Sequence, residues 1–210
     1  QVVEVITARR SPDSKEFEMP HKCPACGAAA VRNEGEAAYR CLSLFCPAQL
    51  IRKTAYFASK HALDLEGFGE KIIETLVEHK LIGDMADILN LKYEDFLKLP
   101  RFKEKLASKL ALEIESKKNT TLNRFIAALQ IPFVGETTAA ALADHFKSFD
   151  RLAEASVEEL LMVNEIGEKI ASSLNGFLKE EANAAIINKI FEYGLKIAAV
   201  SSVAGASDKL

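Results

Sequence analysis

The sequence predicts a mainly α protein: four tandem units of helix, tight turn and helix, preceded by a small four-cysteine knuckle and a short β stub. Three observations predict it. A seven-residue pattern occurs four times, as Leu65-Glu66-Gly67-Phe68-Gly69-Glu70-Lys71, Leu99-Pro100-Arg101-Phe102-Lys103-Glu104-Lys105, Ile131-Pro132-Phe133-Val134-Gly135-Glu136-Thr137 and Val163-Asn164-Glu165-Ile166-Gly167-Glu168-Lys169. Its Gly/Lys positions, 69, 103, 135 and 167, recur at a period of 32 to 34 residues, which marks repeated supersecondary units. Apolar residues of helical period flank every copy, and four cysteines cluster within one short segment upstream.

From the N-terminus, residues 1–19 hold one alternating strand, Val3-Glu4-Val5-Ile6, and a polar turn at Ser11-Pro12-Asp13. A lone strand is not stable by itself, so it is expected to be the tail of a β domain that is mostly missing. The chain begins at Gln1 without Met and is expected to be a piece of something longer.

Residues 20–47 carry Cys23-Pro24-Ala25-Cys26-Gly27, a C-x2-C knuckle, and then Cys41 and Cys46 as C-x4-C. Between the pairs lies a strand-like interval at Ala37-Ala38-Tyr39-Arg40. Two short-spaced pairs supply four thiolates, the ligand set of a tetrahedral zinc ion. Four protein ligands leave no position for water, so the zinc is expected to be structural. Cys23-Pro24-Ala25-Cys26 alone also fits a redox motif, but that chemistry needs a βαβ context and leaves Cys41 and Cys46 without a role. His21 beside the knuckle is expected to be a surface residue.

Residues 48–61 read as a connecting helix, with Leu50, Ile51, Ala55, Phe57 and Ala58 apolar and Arg52, Lys53 and Lys60 interspersed on a solvated face. Residues 62–197 are the repeats. Ile72, Ile73, Leu76 and Val77 follow the first turn; Leu106, Leu110 and Ile114 the second; Ala140, Leu142, Ala143 and Phe146 the third; Ile170, Ala171, Leu174 and Phe177 the fourth. Short helices are expected over 84–91, 93–98, 122–129, 149–155 and 157–161, with start signals at Thr121 and Ser156. A last helix over 183–193 ends before Gly194 as its C′ residue. His61, His79 and His145 lie on separate helices without a matching partner. Residues 198–210 are small and polar, the composition of a linker.

Each turn offers a chemistry. Gly at the turn is expected to supply φ > 0 and to let another backbone approach. The following Glu suits the start of a helix dipole. Unpaired N–H groups at that helix start form an anion site, and Lys71, Lys105 and Lys169 add charge beside it. Four such sites point to a polyphosphate ligand, most simply a nucleic-acid backbone. The alternative is that these glycines only close interhelical turns.

At 210 residues the chain has one to two domains, and 49% apolar residues suffice for a core. No uncharged apolar run has membrane length, and no membrane partner is expected. Clustered cysteines without a secretory signal favour metal over disulfides. The charge is graded: residues 21–60 hold six basic and two acidic side chains, residues 61–200 hold 17 basic and 23 acidic. An acidic helical domain is no broad electrostatic glove for DNA, so nucleic-acid binding would rest on local amides and a few Lys and Arg.

The order of these parts resembles the C-terminal half of the bacterial NAD-dependent DNA ligases over nearly the whole chain. The resemblance is carried by Cys23-Pro-Ala-Cys26-Gly27, the Cys41/Cys46 pair followed by Pro47-Ala48-Gln49, Leu63-Asp-Leu-Glu-Gly-Phe-Gly-Glu-Lys71, and Val134-Gly135-Glu136-Thr137. It implies five segments: 1–19, the tail of a missing oligonucleotide-binding (OB-fold) domain; 20–47, a four-cysteine zinc finger; 48–61, a connecting helix; 62–197, a helix-hairpin-helix domain; and 198–210, a linker towards a missing BRCT domain. The parent enzyme would seal nicked double-stranded DNA in replication and repair, with NAD as adenylate donor and magnesium, in the bacterial cytoplasm. The segment itself would be a monomer that binds neither NAD nor magnesium.

The resemblance assigns zinc to Cys23, Cys26, Cys41 and Cys46 and DNA backbone contacts to Gly67, Gly69, Lys71, Arg101, Lys103, Lys105, Gly135, Thr137, Gly167 and Lys169. The family's adenylated Lys-x-Asp-Gly motif is missing from the sequence, so this polypeptide is expected to lack ligation activity alone and to have no catalytic residue. Two positions depart from the family pattern. Lys103 replaces Gly in hairpin two, where it is expected to disfavour φ > 0 and crowd the amides, so that this hairpin is chiefly structural or binds through its side chain. Gln130 precedes Ile131 where many relatives carry Gly. The rival classes are a helical-repeat protein-interaction scaffold, which the period and acidic charge also fit, and a redox or zinc enzyme built on the cysteines.

Overall fold

The structure, a computed structural model, describes residues 11, 13–15, 17–32, 37–41, 43 and 46–198. The strand expected at Val3–Ile6 and all of the expected linker except Ala198 lie outside the described residues. The chain divides into two compact units, Gln1–Cys46 and Pro47–Leu210.

In the first unit, β1 (Ala30–Arg32) pairs antiparallel with β2 (Tyr39–Cys41), with Val31 opposite Arg40. The knuckle turn closes through Cys23 N–H to the Ala28 carbonyl at 2.7 Å and Gly27 N–H to the Cys23 carbonyl at 2.8 Å. Gly27 sits at φ +72°, a left-handed position that glycine adopts without steric penalty. His21 is exposed, with its ring edge-on to Tyr39.

The second unit is helical: α1 (Pro47–Ala58), α2 (Glu70–Glu78), a 3-10 helix (Met85–Asn90), α3 (Tyr93–Leu97), α4 (Glu104–Ser116), α5 (Leu122–Ala128), α6 (Glu136–Phe146), α7 (Phe149–Ala153), α8 (Val157–Leu161), α9 (Glu168–Lys179) and α10 (Glu181–Glu192). Four helix pairs, α1/α2, α3/α4, α5/α6 and α8/α9, pack across the four repeated turns. The sequence reading set α1 apart as a connector. It packs instead on α2 as the first helix of hairpin one, because Phe57 and Ala58 on its inner face are buried in the shared core.

Segment 85–90 is a 3-10 helix, fixed by a capping box in which Asp84 accepts from Ala86 and Asp87 N–H, and Asp87 accepts from Asp84 N–H. Ser156 makes the same arrangement with Glu159 at the start of α8. α10 ends at Gly194, φ +92°, with Leu195 N–H reaching the Ile190 carbonyl at 3.3 Å, a Schellman closure. Two-residue strands β3 (Asn119–Thr120) and β4 (Lys196–Ile197) pair in parallel and tie this end back to the middle of the chain.

One apolar core runs through the unit. Phe96 lies fully buried between the rings of Phe68 and Phe102, at centroid distances of 6.1 and 6.4 Å. Phe125, Phe149 and Phe191 form a second aromatic cluster joining α5, α7 and α10. Polar ties fix the hairpins to one another. Gln130 Nε2 donates to the Lys53 carbonyl at 2.8 Å, Arg124 donates to the Lys60 carbonyl at 2.9 Å, and Lys189 Nζ sits 2.6 Å from both Asp84 and Asp87. His61 has a partner that the sequence reading denied it: its Nδ1 lies 2.7 Å from Glu136 Oε1. The two are 75 positions apart, so no local spacing could reveal the pair. No helix among the described residues is long and apolar enough to cross a membrane.

Candidate metal centre and nucleic-acid interface

The knuckle and β2 bring Cys23, Cys26, Cys41 and Cys46 together, with all four sulfurs within 4.8 Å of one another. Cys23 Sγ is 3.8 Å from Cys46 Sγ, and Cys26 Sγ is 3.5 Å from Cys41 Sγ. Zinc–thiolate bonds of about 2.3 Å in a tetrahedron put the sulfurs about 3.8 Å apart, so the donor set fits the ion. The electrostatics point the same way. N–H groups of Ala25 and Cys26 pull the Cys23 thiol down to about 7. The Ser43 N–H favours the Cys41 thiolate, but burial and the three neighbouring sulfurs outweigh it and push that thiol up to about 12. Four sulfurs this close cannot all ionise without a cation among them.

The four turns share one geometry, and it differs from the expected one. Gly69, Gly135 and Gly167 are the N-cap residues of α2, α6 and α9, and their φ values are −70°, −93° and −94° with extended ψ. None uses the left-handed region. That role falls two residues earlier, on Gly67 (φ +94°), Arg101 (+69°), Phe133 (+68°) and Glu165 (+65°). Lys103 caps α4 at φ −99° and ψ 165°, like the glycines, so the expectation that it meets a left-handed backbone there is corrected. An i to i+3 bond closes each turn, from Phe68, Phe102, Val134 and Ile166 N–H to the Leu65, Leu99, Ile131 and Val163 carbonyls at 3.0–3.3 Å. The side chains of those pairs point into the core, which leaves the Gly/Lys face outward.

The glycines therefore divide into two kinds. A Cβ on Gly67 would lie 3.0 Å from Leu110 Cδ2, and its φ already favours glycine. A Cβ on Gly69, Gly135 or Gly167 would meet nothing within 4 Å. Neither conformation nor packing inside this chain calls for glycine at those three places. What a missing Cβ does there is bare the N-terminal amides of the helix to the outside. No side chain caps α2, α4, α6 or α9, nor α3, α5 or α10, whereas Asp84, Ser148 and Ser156 cap the 3-10 helix, α7 and α8. All ten candidate residues, Gly67, Gly69, Lys71, Arg101, Lys103, Lys105, Gly135, Thr137, Gly167 and Lys169, are exposed.

The hairpins associate in pairs through equivalent contacts. Turn one rests on α4: Glu66 N–H donates to Glu113 Oε1 at 2.9 Å, and Lys109 Nζ lies 3.7 Å from Glu66. Turn three rests on α9: Ser173 Oγ donates to the Pro132 carbonyl at 2.8 Å, and Lys169 Nζ lies 4.1 Å from the centre of the Phe133 ring. Asp64 and Gln130, one residue before each of these turns, also share positive φ, at 58° and 54°. Hairpins one and three thus correspond, as do two and four. A glycine preference before Ile131 follows from that backbone, and Gln130 adopts it while tying down α1. Phe133 was not singled out by sequence; an aromatic residue in a turn reads as core unless its exposure is known.

Fold and site together define a four-cysteine zinc-finger and tandem helix-hairpin-helix protein. Comparison with known proteins carries this further. Residues 22–48 match the NAD-dependent DNA ligase C4 zinc finger domain, 59–116 a SAM-like helix-hairpin-helix tandem, and 124–187 a helix-hairpin-helix motif. The last two matches coincide with the two hairpin pairs. The chain is 43% identical over 195 residues to a DNA ligase of Geotalea uraniireducens, and 44% identical over 195 residues to one of Geobacter metallireducens. It is 41% identical over 201 residues to a DNA ligase of Thermoanaerobacter sp.. These alignments take in 93–96% of this chain but 29–30% of each relative. Over nearly its whole length the chain is thus similar to a part of these DNA ligases, with a zinc finger of the NAD-dependent ligase type followed by helix-hairpin-helix domains.

Proposed function

We propose that this segment grips the phosphate backbone of nicked duplex DNA for an NAD-dependent DNA ligase. The observation that carries the reading is the trio of N-cap glycines with ordinary φ and open space where a side chain would be. Each lets a phosphate oxygen close on the first amides of α2, α6 or α9, where the helix dipole adds attraction. Lys71 and Lys169 supply charge beside two of these sites, and the Thr137 hydroxyl a donor beside the third. At hairpin two the backbone is the same and Lys103 stands at the cap, flanked by Arg101 and Lys105, so phosphate there meets side-chain charge as well as amides.

The zinc centre holds the cysteine module in shape and takes no part in chemistry. The parent enzyme would join 5′-phosphate and 3′-hydroxyl ends in replication and repair in the bacterial cytoplasm, using NAD and magnesium bound by other domains. The segment would act as a monomer in cis with adenylation, OB and BRCT domains and be inactive alone.

The experiment is binding of a fluorescein-labelled nicked duplex to the wild type, Gly69→Val and Gly167→Val. Valine fits the extended backbone and the open space, so both variants are expected to keep the wild-type circular dichroism spectrum. Each is expected to lose roughly tenfold in affinity, the worth of a charge-assisted hydrogen bond. Unchanged affinity in the folded variants would remove the reading. The acidic balance of residues 61–200 favours a second reading, a protein-interaction scaffold with a structural zinc. Absence of duplex binding at low salt together with a captured protein partner would support it.

A further inference from the structure

We infer that Phe133 is a DNA-contacting residue, an apolar wedge that meets sugars and base edges in the minor groove between the phosphates held by hairpins three and four. The inference rests on the DNA-gripping reading above and adds to it a contact that carries no charge.

Three observations carry it. The first is exposure: 53% of Phe133 is open to solvent, although the aliphatic residues of its turn, Ile131 and Val134, are buried. The second is conformation. Seven non-glycine residues among the described ones have positive φ, and Phe133 is the only apolar one; the others are Asp64, Lys80, Arg101, Gln130, Lys147 and Glu165. A bulky ring in the left-handed region is strained, and the equivalent residue of hairpin one, Gly67, avoids that strain. Such strain persists at positions where the side chain serves something other than the fold. The third is place. Phe133 lies two residues before the Gly135 cap, and its ring sits 4.1 Å from Nζ of Lys169, two residues after the Gly167 cap. The ring thus stands beside two of the proposed phosphate sites. A duplex seated on both would bring its sugars over the open part of the ring, and apolar side chains with cationic neighbours are how proteins press into a minor groove.

A purely structural role makes different demands. If Phe133 only clamps hairpin three to α9 under Lys169, removing it costs stability and leaves DNA contacts reached by charge alone. The test measures affinity for a fluorescein-labelled duplex across a salt series, with thermal melting, for the wild type, Phe133→Gly, Phe133→Asn and Lys169→Met. Both glycine and asparagine tolerate the left-handed backbone, so the two Phe133 variants are expected to melt at or above the wild-type temperature. They are expected to lose roughly fivefold in affinity at every salt concentration, the scale of uncovering half a phenyl ring. Their slope of log Kd against log salt should match the wild type, since an uncharged contact releases no counterion, while Lys169→Met should lower the slope by about one. Wild-type affinity in both folded Phe133 variants would overturn the inference and leave the DNA reading standing. So would a slope reduced as in Lys169→Met, which would make the ring a mere support for the ammonium. A wild-type chain that binds no duplex at low salt would remove the DNA reading and this inference together.

Discussion

Gly67 and Gly69 stand two residues apart in the same turn and answer to different constraints. Gly67 is held by its own fold, through φ +94° and the Leu110 side chain. Gly69 has neither constraint. Gly67→Ala is therefore expected to destabilise the protein by about 1–2 kcal/mol in denaturant unfolding. Gly69→Ala should leave stability unchanged or slightly raised, and the difference between the two midpoints is the check. The sequence revealed the glycines at 69, 135 and 167 but misplaced the positive φ onto them. Its true carriers are Gly, Arg, Phe and Glu at 67, 101, 133 and 165, and no shared residue type marks such a position. Lys103 was misjudged for the same reason, since its extended φ accepts any side chain.

Helical period located the second helix of every hairpin, though not the place of α1 in hairpin one, because each helix buries one apolar stripe against its partner and that stripe repeats at 3.6 residues. Phe96 shows how much such a stripe holds: fully buried between Phe68 and Phe102, it joins hairpins one and two. Phe96→Ala is expected to cost about 3–5 kcal/mol, read from the shift in urea midpoint. The short helices over 85–90, 93–97, 149–153 and 157–161 were legible too, but the two-residue strands were not. The β3–β4 pair has two residues on each side, too few for a period, and its partners come from distant parts of the chain. The Lys189 link from α10 to the 3-10 helix joins residues about a hundred positions apart and was equally invisible. Burial opposes the charged form of Asp87, but the Lys189 ammonium and the Gly83 and Asp84 N–H groups outweigh it and hold its carboxyl below the usual range. Asp84 and Asp87 in turn raise Lys189 above the ordinary lysine value despite its partial burial. A depressed carboxyl stabilises the fold above its unfolded pKa, near 4, and a raised amine does so below its own, near 10.4. The link should thus contribute between these limits and fade as pH falls below about 4. Lys189→Met is expected to lower the melting temperature at pH 7 and to narrow that gap in acid; an equal gap at pH 3 and pH 7 would contradict this origin.

At the scale of the molecule, the two units depend on different forces. Among its described residues the cysteine unit has two three-residue strands and a thiolate cluster, with little apolar core, so metal is expected to supply much of its folding energy. Among the described residues, the unit from Pro47 onward holds every helix and the continuous core. Chelation of zinc should therefore release the metal while the helical circular dichroism signal and main melting transition stay. A cooperative loss of helix on chelation would contradict two separable units. The cysteine cluster was legible in the sequence, because two short-spaced pairs are enough to bring four sulfurs to one place. The outward face of the hairpins was legible only as a pattern of glycines, because their meaning depends on φ and on empty space.

The most direct measurement of the central claim is affinity for a nicked duplex over a salt series, comparing the wild type with Gly167→Val. If bare amides at the hairpin caps hold phosphates, the wild type binds with a steep salt dependence, and the valine variant, folded, binds roughly tenfold more weakly. Equal binding by both at every salt concentration would contradict it, because an uncharged side chain over the amides of α9 would then cost no phosphate contact.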